Sequence, residues 1–382
     1  MSGADQLGER ATRPLDIVIL GLTLRSSWGN GHATTYRALV DALLRRGHRV
    51  RFLERDVPWY ADNQDPPDEL PGELLLYADP ADLARRHGAT VASADLVIVG
   101  SYVPDGIEVG LWAQAQARGI VAFYDIDTPV TLAALARGDC AYLAPHVVPG
   151  YDLYLSFSGG PLLEVLMDDY GAPLAVPFYC SVDPQRYHPE PATPRYDLGY
   201  MGTYSDDRQP VLETLLLAPA RAWDAGRFVV AGPQYPPSIA WPGNVHRIEH
   251  LGPSRHRAFY ASQRFTLNVT RADMVAAGWS PSVRLFEAAA CGTPIISDPW
   301  EGLADLLEPG EEILIARDGD DVLRWLRDMP EDERRRIGEA GRRRVLAGHT
   351  AMHRATTLEQ YHDRALQRGR PTRSPRQEEA VP

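Results

Sequence analysis

The 382-residue chain contains no lysine, and all 39 of its basic residues are arginine. This absence excludes a Walker P-loop, a pyridoxal Schiff base and a protein-kinase site, each of which depends on lysine. An anionic ligand must therefore be held by arginine, by backbone N–H groups or by helix N-termini. The formal net charge of −12 argues against a nucleic-acid partner and against binding to an anionic membrane surface.

Cysteine is scarce and long apolar runs are missing. The three cysteines, Cys140, Cys180 and Cys291, are widely spaced and fit neither a zinc motif nor a disulfide framework, which indicates a reducing compartment. The longest apolar runs have the length of a strand, far below the roughly 18–20 residues that span a bilayer. The first residues also lack the apolar run of a signal peptide. We therefore expect a cytoplasmic protein with no stable membrane insertion.

Short apolar segments alternate with helical segments along the chain, which is typical of parallel sheets built from βαβ units. The alternation runs through residues 15–181, stops at 182–194, where four prolines occur in 13 residues, and restarts over 195–350. The pattern predicts two Rossmann-like α/β domains joined by a hinge. Ligands are expected in the cleft between the domains, at the carboxyl ends of the strands.

The remaining segments receive simpler predictions. Pro58–Pro80 contains many prolines and acidic residues, and we expect a surface loop there. Residues 351–368 form a last helical stretch that could cross back onto the first domain. Residues 1–14 and 369–382 are predicted to be disordered.

The first candidate site lies between the first predicted strand and the first predicted helix, in the segment SSWGNGH. Gly29, Asn30 and Gly31 allow a ligand, such as the acceptor of a group-transfer reaction, to approach the backbone at a helix N-terminus. A histidine at that position, His32, has a depressed pKa and can act as a general base when neutral. A long capped loop and a solvent-exposed histidine are the alternatives that the sequence leaves open.

Asp125 and Asp127 form the second candidate site, at the end of a predicted strand. Such a pair could bind a divalent metal on a nucleotide sugar, and strand alternation would place both carboxylates on one face. No third ligand is nearby, so we expect no metal site. The alternative is that one of the two aspartates orients His32 or binds an acceptor hydroxyl.

The third candidate site is the segment Gly278–Asp298. Ser280 is predicted as the N-cap of a helix, Pro281 as its first residue and Gly292 as the residue that ends it. Arg284 and Glu287 are three positions apart and share a face. They could be structural partners, or Glu287 could accept hydrogen bonds from ribose hydroxyls while the helix N-terminus faces a diphosphate.

A further candidate segment is Gly202–Arg208, between a predicted strand and helix. In a chain without lysine, Arg208 and Arg271 are the natural counter-charges for a leaving diphosphate, although either could be an ordinary surface residue. The complete set of candidate donor-binding residues is Glu287, Arg284, Arg208, Arg271, Ser280, Ser282, Gly202 and Thr203.

Several of these segments resemble a known family. SVRLFEAAACGTPIISD resembles the donor-site helix of the group-one glycosyltransferases, and APLAVPFYCSVDPQRYHP is similar to their domain linker. The opening SSWGNGHATTYRALVDALLRRGHRVRFLERD, together with YDLYLSFSGG and YMGTYSDDR, resembles the CgeB-like (spore maturation protein) glycosyltransferases.

The resemblance implies a GT-B fold, with an acceptor domain at 15–181 and a nucleotide-sugar domain at 195–350. It implies a metal-independent transferase with a nucleoside diphosphate sugar as co-substrate and no other cofactor, in which Glu287 binds the donor ribose. Retaining members carry a glutamate where this chain has Trp279, whereas inverting GT-B enzymes use a histidine base and a later aspartate, as His32 with Asp125 or Asp127 would provide. A nucleotide-sugar epimerase of the same fold and a non-catalytic carbohydrate-binding relative are the alternatives.

Overall fold

The computed structural model describes residues 13–28, 31–66 and 70–369. Most of the two predicted disordered termini lies outside these ranges, and so do Gly29 and Asn30 of the first candidate site. The described chain folds into two α/β units, each built on one parallel sheet. The predicted two-domain α/β architecture is therefore confirmed.

Within the described residues, seven parallel strands form the sheet of the N-terminal unit, in the order β3-β2-β1-β4-β5-β6-β7. The strand β1, between β2 and β4, is buried along nearly its whole length, as a parallel strand covered on both faces must be. The strands are β1 Asp16–Gly21, β2 Arg49–Arg55, β3 Glu73–Tyr77, β4 Leu96–Gly100, β5 Ile120–Asp125, β6 Leu153–Ser156 and β7 Ala175–Pro177. The helices are α1 His32–Arg45, α2 Pro58–Asp62, α3 Pro80–Ser93, α4 Gly106–Gln116, α5 Thr128–Arg137 and α6 Leu162–Asp168.

The surface-loop prediction for Pro58–Pro80 is wrong. This segment contains the short helix α2 and the edge strand β3, which pairs with β2 from Arg51↔Glu73 to Arg55↔Tyr77. Most of β3 is only half-buried, since an edge strand has one neighbour, and the prolines around it mask its short apolar run. The three-residue strand β7 also escaped the sequence analysis, because so short a segment shows no periodicity.

Within the part of the chain that is described, the C-terminal sheet has six parallel strands in the order β10-β9-β8-β11-β12-β13. They are β8 Tyr196–Met201, β9 Phe228–Ala231, β10 Val245–Ile248, β11 Gln263–Asn268, β12 Ile295–Ser297 and β13 Leu314–Ile315. The helices are α7 Gln209–Leu212, α8 Ala218–Ala222, α9 His256–Ala261, α10 Ala272–Ala277, α11 Val283–Ala290, α12 Leu303–Leu306, α13 Gly319–Asp328, α14 Glu331–Gly348 and α15 Ala351–Arg368, with a π-helical turn, Glu213–Leu217, joining α7 to α8.

The last helix, α15, packs against the N-terminal unit although it follows the C-terminal one. Glu359 on α15 is buried, and its carboxylate accepts bonds from both Arg46 and His48. The Nδ1 of His48 accepts a hydrogen bond from the backbone N–H of Leu15. Its Nε2 therefore carries the hydrogen and donates a hydrogen bond to Glu359. In the described part of the chain, no helix combines the length and the apolar character needed to cross a membrane.

In each sheet the order in which successive strands are added reverses once. The two reversal points determine where the site lies. In the N-terminal sheet the order diverges between β1 and β4, and in the C-terminal sheet it diverges between β8 and β11. Open α/β sheets bind ligands at the carboxyl ends of the strands beside such a switch point. A ligand site is therefore expected at the loops that follow these four strands.

Candidate functional site

A cavity of about 220 Å³ lies between the two units, at the carboxyl ends of both sheets. The N-terminal unit contributes the loop after β1 and the start of α1. The C-terminal unit contributes the ends of β8, β9 and β10 and the start of α11. The lining residues are Ser27, Gly31, Thr34, Met201, Gly202, Thr203, Ala231, Gly232, Pro233, His250, Leu251, Pro253, His256, Val283, Arg284 and Glu287.

A second compartment of about 430 Å³ lies towards the hinge, between α1 and residues 181–187. It shares Thr34, Val283 and Glu287 with the first cavity, so Glu287 stands at the boundary of the two spaces. The cleft is thus larger than either compartment alone, and Glu287 lines both parts of it.

The helix α11 begins two residues later than predicted. Its N-cap is Ser282, not Ser280, and Val283 rather than Pro281 is its first residue. Ser280 is buried and its hydroxyl bonds instead to the Gly278 carbonyl and to Ser158 of the N-terminal unit, which holds the preceding segment out of the helix. The predicted end is correct, because Gly292 has a left-handed backbone with φ of 72° just after the helix.

Asn268, the last residue of β11, organises the start of α11. Its side-chain oxygen accepts one bond from the Ser282 hydroxyl and one from Arg284 Nη1, each 2.8 Å long. Arg284 Nε also donates to the Met201 carbonyl, and its guanidinium lies 4.9 Å from the Tyr200 ring centre. Arg284 is therefore fixed in the cavity wall by residues of two strands, β8 and β11, without pairing with Glu287.

Glu287 lies in a pocket of polar side chains. It is 3% exposed, and its Oε2 accepts a 3.1 Å bond from the Tyr260 hydroxyl and lies 3.6 Å from His256 Nδ1. The Tyr187 hydroxyl of the hinge lies 3.3 Å from the same His256 nitrogen. Burial and the nearby Glu287 carboxylate raise the pKa of Tyr187, which keeps its hydroxyl protonated. These contacts hold the carboxylate at the cavity edge, where it can accept further bonds.

The two candidate counter-charges take different positions. Arg208 is half-buried and its Nη2 donates to the carbonyl of Thr203, which lines the cavity. Arg271 is 39% exposed and its Nε lies 3.9 Å from Asp207 Oδ2. Neither arginine is among the cavity-lining residues, but Arg208 is bonded to one of them, Thr203, so Arg208 is the better placed of the two candidate counter-charges.

The loop after β1 is held in place by buried charged groups. Glu54, at the end of β2, accepts bonds from the backbone N–H groups of Leu24 and Arg25 and from Arg25 Nε. Asp65 accepts two bonds from Ser27, through its backbone and its hydroxyl. The ring of the next residue, Trp28, lies 4.1 Å from that of His250, so this loop reaches across the cleft to the C-terminal unit.

His32 is the first residue of α1 and only 8% exposed, behind the cavity-lining residues Gly31 and Thr34. Burial lowers its pKa, and the charge of Asp127 partly offsets this effect. The imidazole is therefore neutral near pH 7, as a general base must be. The Tyr102 ring, 5.3 Å away, meets it edge-on at 83°.

Asp125 and Asp127 have different surroundings. Asp125 is fully buried and accepts bonds from the Tyr154 and Thr131 hydroxyls, and burial raises its pKa to about 6. Asp127, the N-cap of α5, accepts a bond from Tyr102 and lies near His32. Among the described residues, no group of three His, Cys, Asp or Glu side chains is arranged to hold a metal ion. Asp127 is thus the aspartate placed to act on His32.

Trp279 connects the two units. Its carbonyl accepts a bond from the Gly159 N–H in the N-terminal unit, and its Nε1 donates to Asp305. Its φ of 42° is unusual for a bulky residue. The backbone of Trp279 therefore makes the bond between the units, and its ring lies against Gly160 of the N-terminal unit.

Several residues of the site were not predicted from the sequence, among them His256 and Tyr260 beside Glu287, and Asn268 and Tyr102. Asn268 belongs to an Asn-Val-Thr sequon in a predicted strand, and its one detectable signal is a polar side chain within an apolar segment. Tyr102 follows β4 in a segment without any recognisable motif. Its role depends on contacts with His32 and Asp127, which are distant in sequence.

The comparison with protein families gives one match. Residues 208–360 match the family described as glycosyl transferase-like. The matched stretch includes α11, Arg284 and Glu287. Among curated proteins, none matches the sequence significantly.

Solved structures resemble the whole described fold. They include sucrose-phosphate synthase from Thermosynechococcus elongatus, with 15% identity and a TM-score of 0.66 over 94% of this chain and 100% of that one. HepE from Anabaena, in complex with UDP and glucose, has 13% identity and a TM-score of 0.66 over 91% of this chain and 98% of that one. AviGT4, a glycosyltransferase of avilamycin A biosynthesis, has 19% identity and a TM-score of 0.55 over 93% and 99%. At these identities the likeness establishes the fold, which is that of the GT-B glycosyltransferases.

Proposed function

We propose that the protein is a glycosyltransferase that moves a sugar from a uridine diphosphate sugar to a hydroxyl group of an acceptor. The observation that carries this proposal is the interdomain cavity of about 220 Å³, where Glu287, Arg284 and the start of α11 meet the loop before His32. The glycosyl transferase-like match over residues 208–360 supports the reaction class, and the UDP and glucose bound to HepE support the donor class.

The donor is assigned to the C-terminal side of the cavity. Glu287 would accept hydrogen bonds from the ribose hydroxyls, as a carboxylate fixed at a cavity edge can. The diphosphate would lie against the N-terminus of α11 and the Gly202–Thr203 backbone, where N–H groups and the helix dipole favour an anion. Arg284 lines this part of the cavity, and Arg208 is held beside it by its bond to Thr203.

The acceptor is assigned to the N-terminal side, beside Gly31 and His32. In the proposed inverting reaction His32 takes the proton of the acceptor hydroxyl, and the oxygen forms a bond to the sugar C1. The bond from C1 to the diphosphate oxygen breaks, and its electron pair leaves with the nucleoside diphosphate. Asp127 stabilises the imidazolium that forms, and Arg208 and Arg284 stabilise the charge that develops on the diphosphate.

Further details of the proposal rest on the sequence motifs. The transferred group would be a hexose, the protein would act in the cytoplasm, and it would belong to the CgeB-like branch that its opening segment resembles. Metal independence is part of the proposal as well, because arginine and backbone N–H groups can neutralise a diphosphate without a cation.

The experiment is a thermal-shift series with UDP, UDP-glucose, GDP and ADP, each with and without EDTA. A ligand at 100 times its Kd should stabilise the fold by about 2.7 kcal/mol. Stabilisation by UDP and UDP-glucose that persists in EDTA is expected. A shift that EDTA removes would contradict metal independence, and no shift with any uridine nucleotide would contradict the donor assignment.

Turnover then separates the three functions that share this fold. UDP release that requires an added acceptor supports a transferase. UDP release without any acceptor would favour an epimerase of the hydrolysing type, and donor binding without release would favour a non-catalytic carbohydrate-binding protein.

A further inference from the structure

Tyr102 has a backbone conformation that its side chain does not favour. It follows β4 at the switch point of the N-terminal sheet and has φ of 63°. The left-handed region is unfavourable for a residue with a bulky side chain, and glycine is the usual choice there. Asp105, the N-cap of α4, also has a positive φ of 55°. Strain of this kind is maintained where the surrounding structure requires it, often at functional sites.

The Tyr102 side chain contacts both members of the proposed catalytic pair. Its ring lies edge-on to His32, with 5.3 Å between ring centres, and its hydroxyl donates a 3.1 Å bond to Asp127 Oδ2. The Tyr102 ring also lies against the ring of Tyr142, with ring centres 4.6 Å apart. The ring is thus held on one side by Tyr142 and presents its other contacts to His32 and Asp127.

We propose that Tyr102 is a positioning residue that sets the geometry of His32 and Asp127. The ring limits the rotation of the imidazole, and the hydroxyl fixes one oxygen of the carboxylate. A left-handed backbone at residue 102 is what lets one side chain reach both groups. The catalytic part of this inference rests on the proposed function, whereas the contact with Asp127 and His32 does not.

The electrostatic surroundings of His32 define a measurable consequence. The titratable groups around this pair are Asp127 at the start of α5, Asp125 at the end of β5, and the hydroxyls of Tyr102 and Tyr142. Burial and the Asp127 charge raise the pKa of Tyr102, so its hydroxyl remains a donor over the pH range of interest. Donation to Asp127 reduces the influence of that carboxylate on His32. Removing the hydroxyl should therefore raise the pKa of His32.

The test compares Tyr102→Phe with Tyr151→Phe. Tyr151 is a buried tyrosine of the same unit whose hydroxyl has no hydrogen-bond partner among the described residues, which makes it a matched control. Tyr102→Phe keeps the ring and removes only the hydroxyl. The first readout is the NMR titration of the His32 imidazole in the free protein, which requires no substrate. We expect the His32 pKa to move upward in Tyr102→Phe and to stay unchanged in Tyr151→Phe.

The second readout is the pH dependence of kcat/KM. Because a base must be deprotonated, the acidic limb should move to higher pH in Tyr102→Phe. In Tyr102→Leu, which also removes the ring, kcat should fall by up to about 100-fold through misplacement of His32, with the donor KM retained. A circular dichroism melt of each variant checks that the fold is intact.

The outcomes separate the inference from the proposed function. An unchanged His32 titration in both Phe variants, or an equal loss of kcat and donor binding in Tyr102→Leu, would overturn the positioning role. A titration shift in Tyr102→Phe alone would support the contact even if the wild-type protein transferred no sugar. A wild-type protein without turnover would count against the proposed function and leave the titration result to decide the contact.

Discussion

The two halves of the site are built in different ways. The C-terminal half carries two of its charged cavity residues, Arg284 and Glu287, on one helix, α11, and the ends of β8, β9 and β10 complete the cavity wall. The N-terminal half is assembled from loops after β1, β4 and β5, which supply His32, Tyr102 and Asp127. A contiguous segment presents its chemistry in the sequence itself, whereas a site assembled from separate loops depends on how the strands are ordered.

The two halves also differ in their electrostatics. The C-terminal half offers Arg284 and helix N–H groups, which suit a diphosphate. The N-terminal half contains a neutral buried histidine, a nearby carboxylate and tyrosines, which suit proton transfer. Variants in each half should therefore fail in different ways, and the following expectations test that difference.

The largest effect is expected from His32→Ala. Loss of a general base should lower kcat by about 10²–10⁴-fold. Donor affinity, measured by calorimetry with UDP, should be unchanged because the donor is assigned to the other half. Normal turnover in this variant would refute the base assignment, and a large loss of UDP affinity would contradict the separation of the two halves.

Asp125→Asn should change the pH dependence of stability. The folded-state pKa of about 6 lies above the value of about 4 for an unfolded chain, so the folded protein binds more protons between these pH values. Stability from this group is therefore lost as pH rises from about 4 to about 6, by about 3 kcal/mol at most. Urea unfolding at several pH values should show a flatter profile in Asp125→Asn, and parallel profiles would contradict the expectation.

Glu287→Gln should weaken donor binding with a smaller effect on kcat. Loss of a charged acceptor costs about 1.5–3 kcal/mol, which corresponds to roughly a 10–100-fold rise in the UDP Kd. Glu301→Gln is the matched control, since Glu301 is an exposed glutamate of the same unit outside the cavity. Equal UDP affinities for the two variants would refute the assignment of the ribose to Glu287.

The smallest effect is expected from Arg271→Gln. Arg271 is 39% exposed beside Asp207, and an exposed pair of this kind contributes about 1 kcal/mol or less. Its UDP Kd should change by less than about threefold, whereas Arg208→Gln should weaken UDP binding further. If Arg271→Gln weakened UDP binding more than Arg208→Gln in the same calorimetric titration, the diphosphate contact would have to be assigned to Arg271.

Local patterns predicted much of the fold. The buried strands β1 and β8, the helix α1 and the end of α11 at Gly292 all follow from apolar spacing and terminal glycines. The failures have their causes in the tertiary structure. The edge strand β3 is half-buried, and α11 begins at Val283 because the Ser280 hydroxyl bonds across the domain contact to Ser158.

The sequence by itself determined the fold class and the cations available to an anion site, because the chain has two runs of βαβ units and arginine as its only strong cation. Only the tertiary structure decided which aspartate acts on His32. Asp125 and Asp127 are two residues apart, yet one is bonded to Tyr154 and Thr131 inside the unit and the other lies beside Tyr102 and His32. The physical reason is that the strand ends at Asp125, so the turn into α5 separates two side chains that strand alternation would have kept on one face.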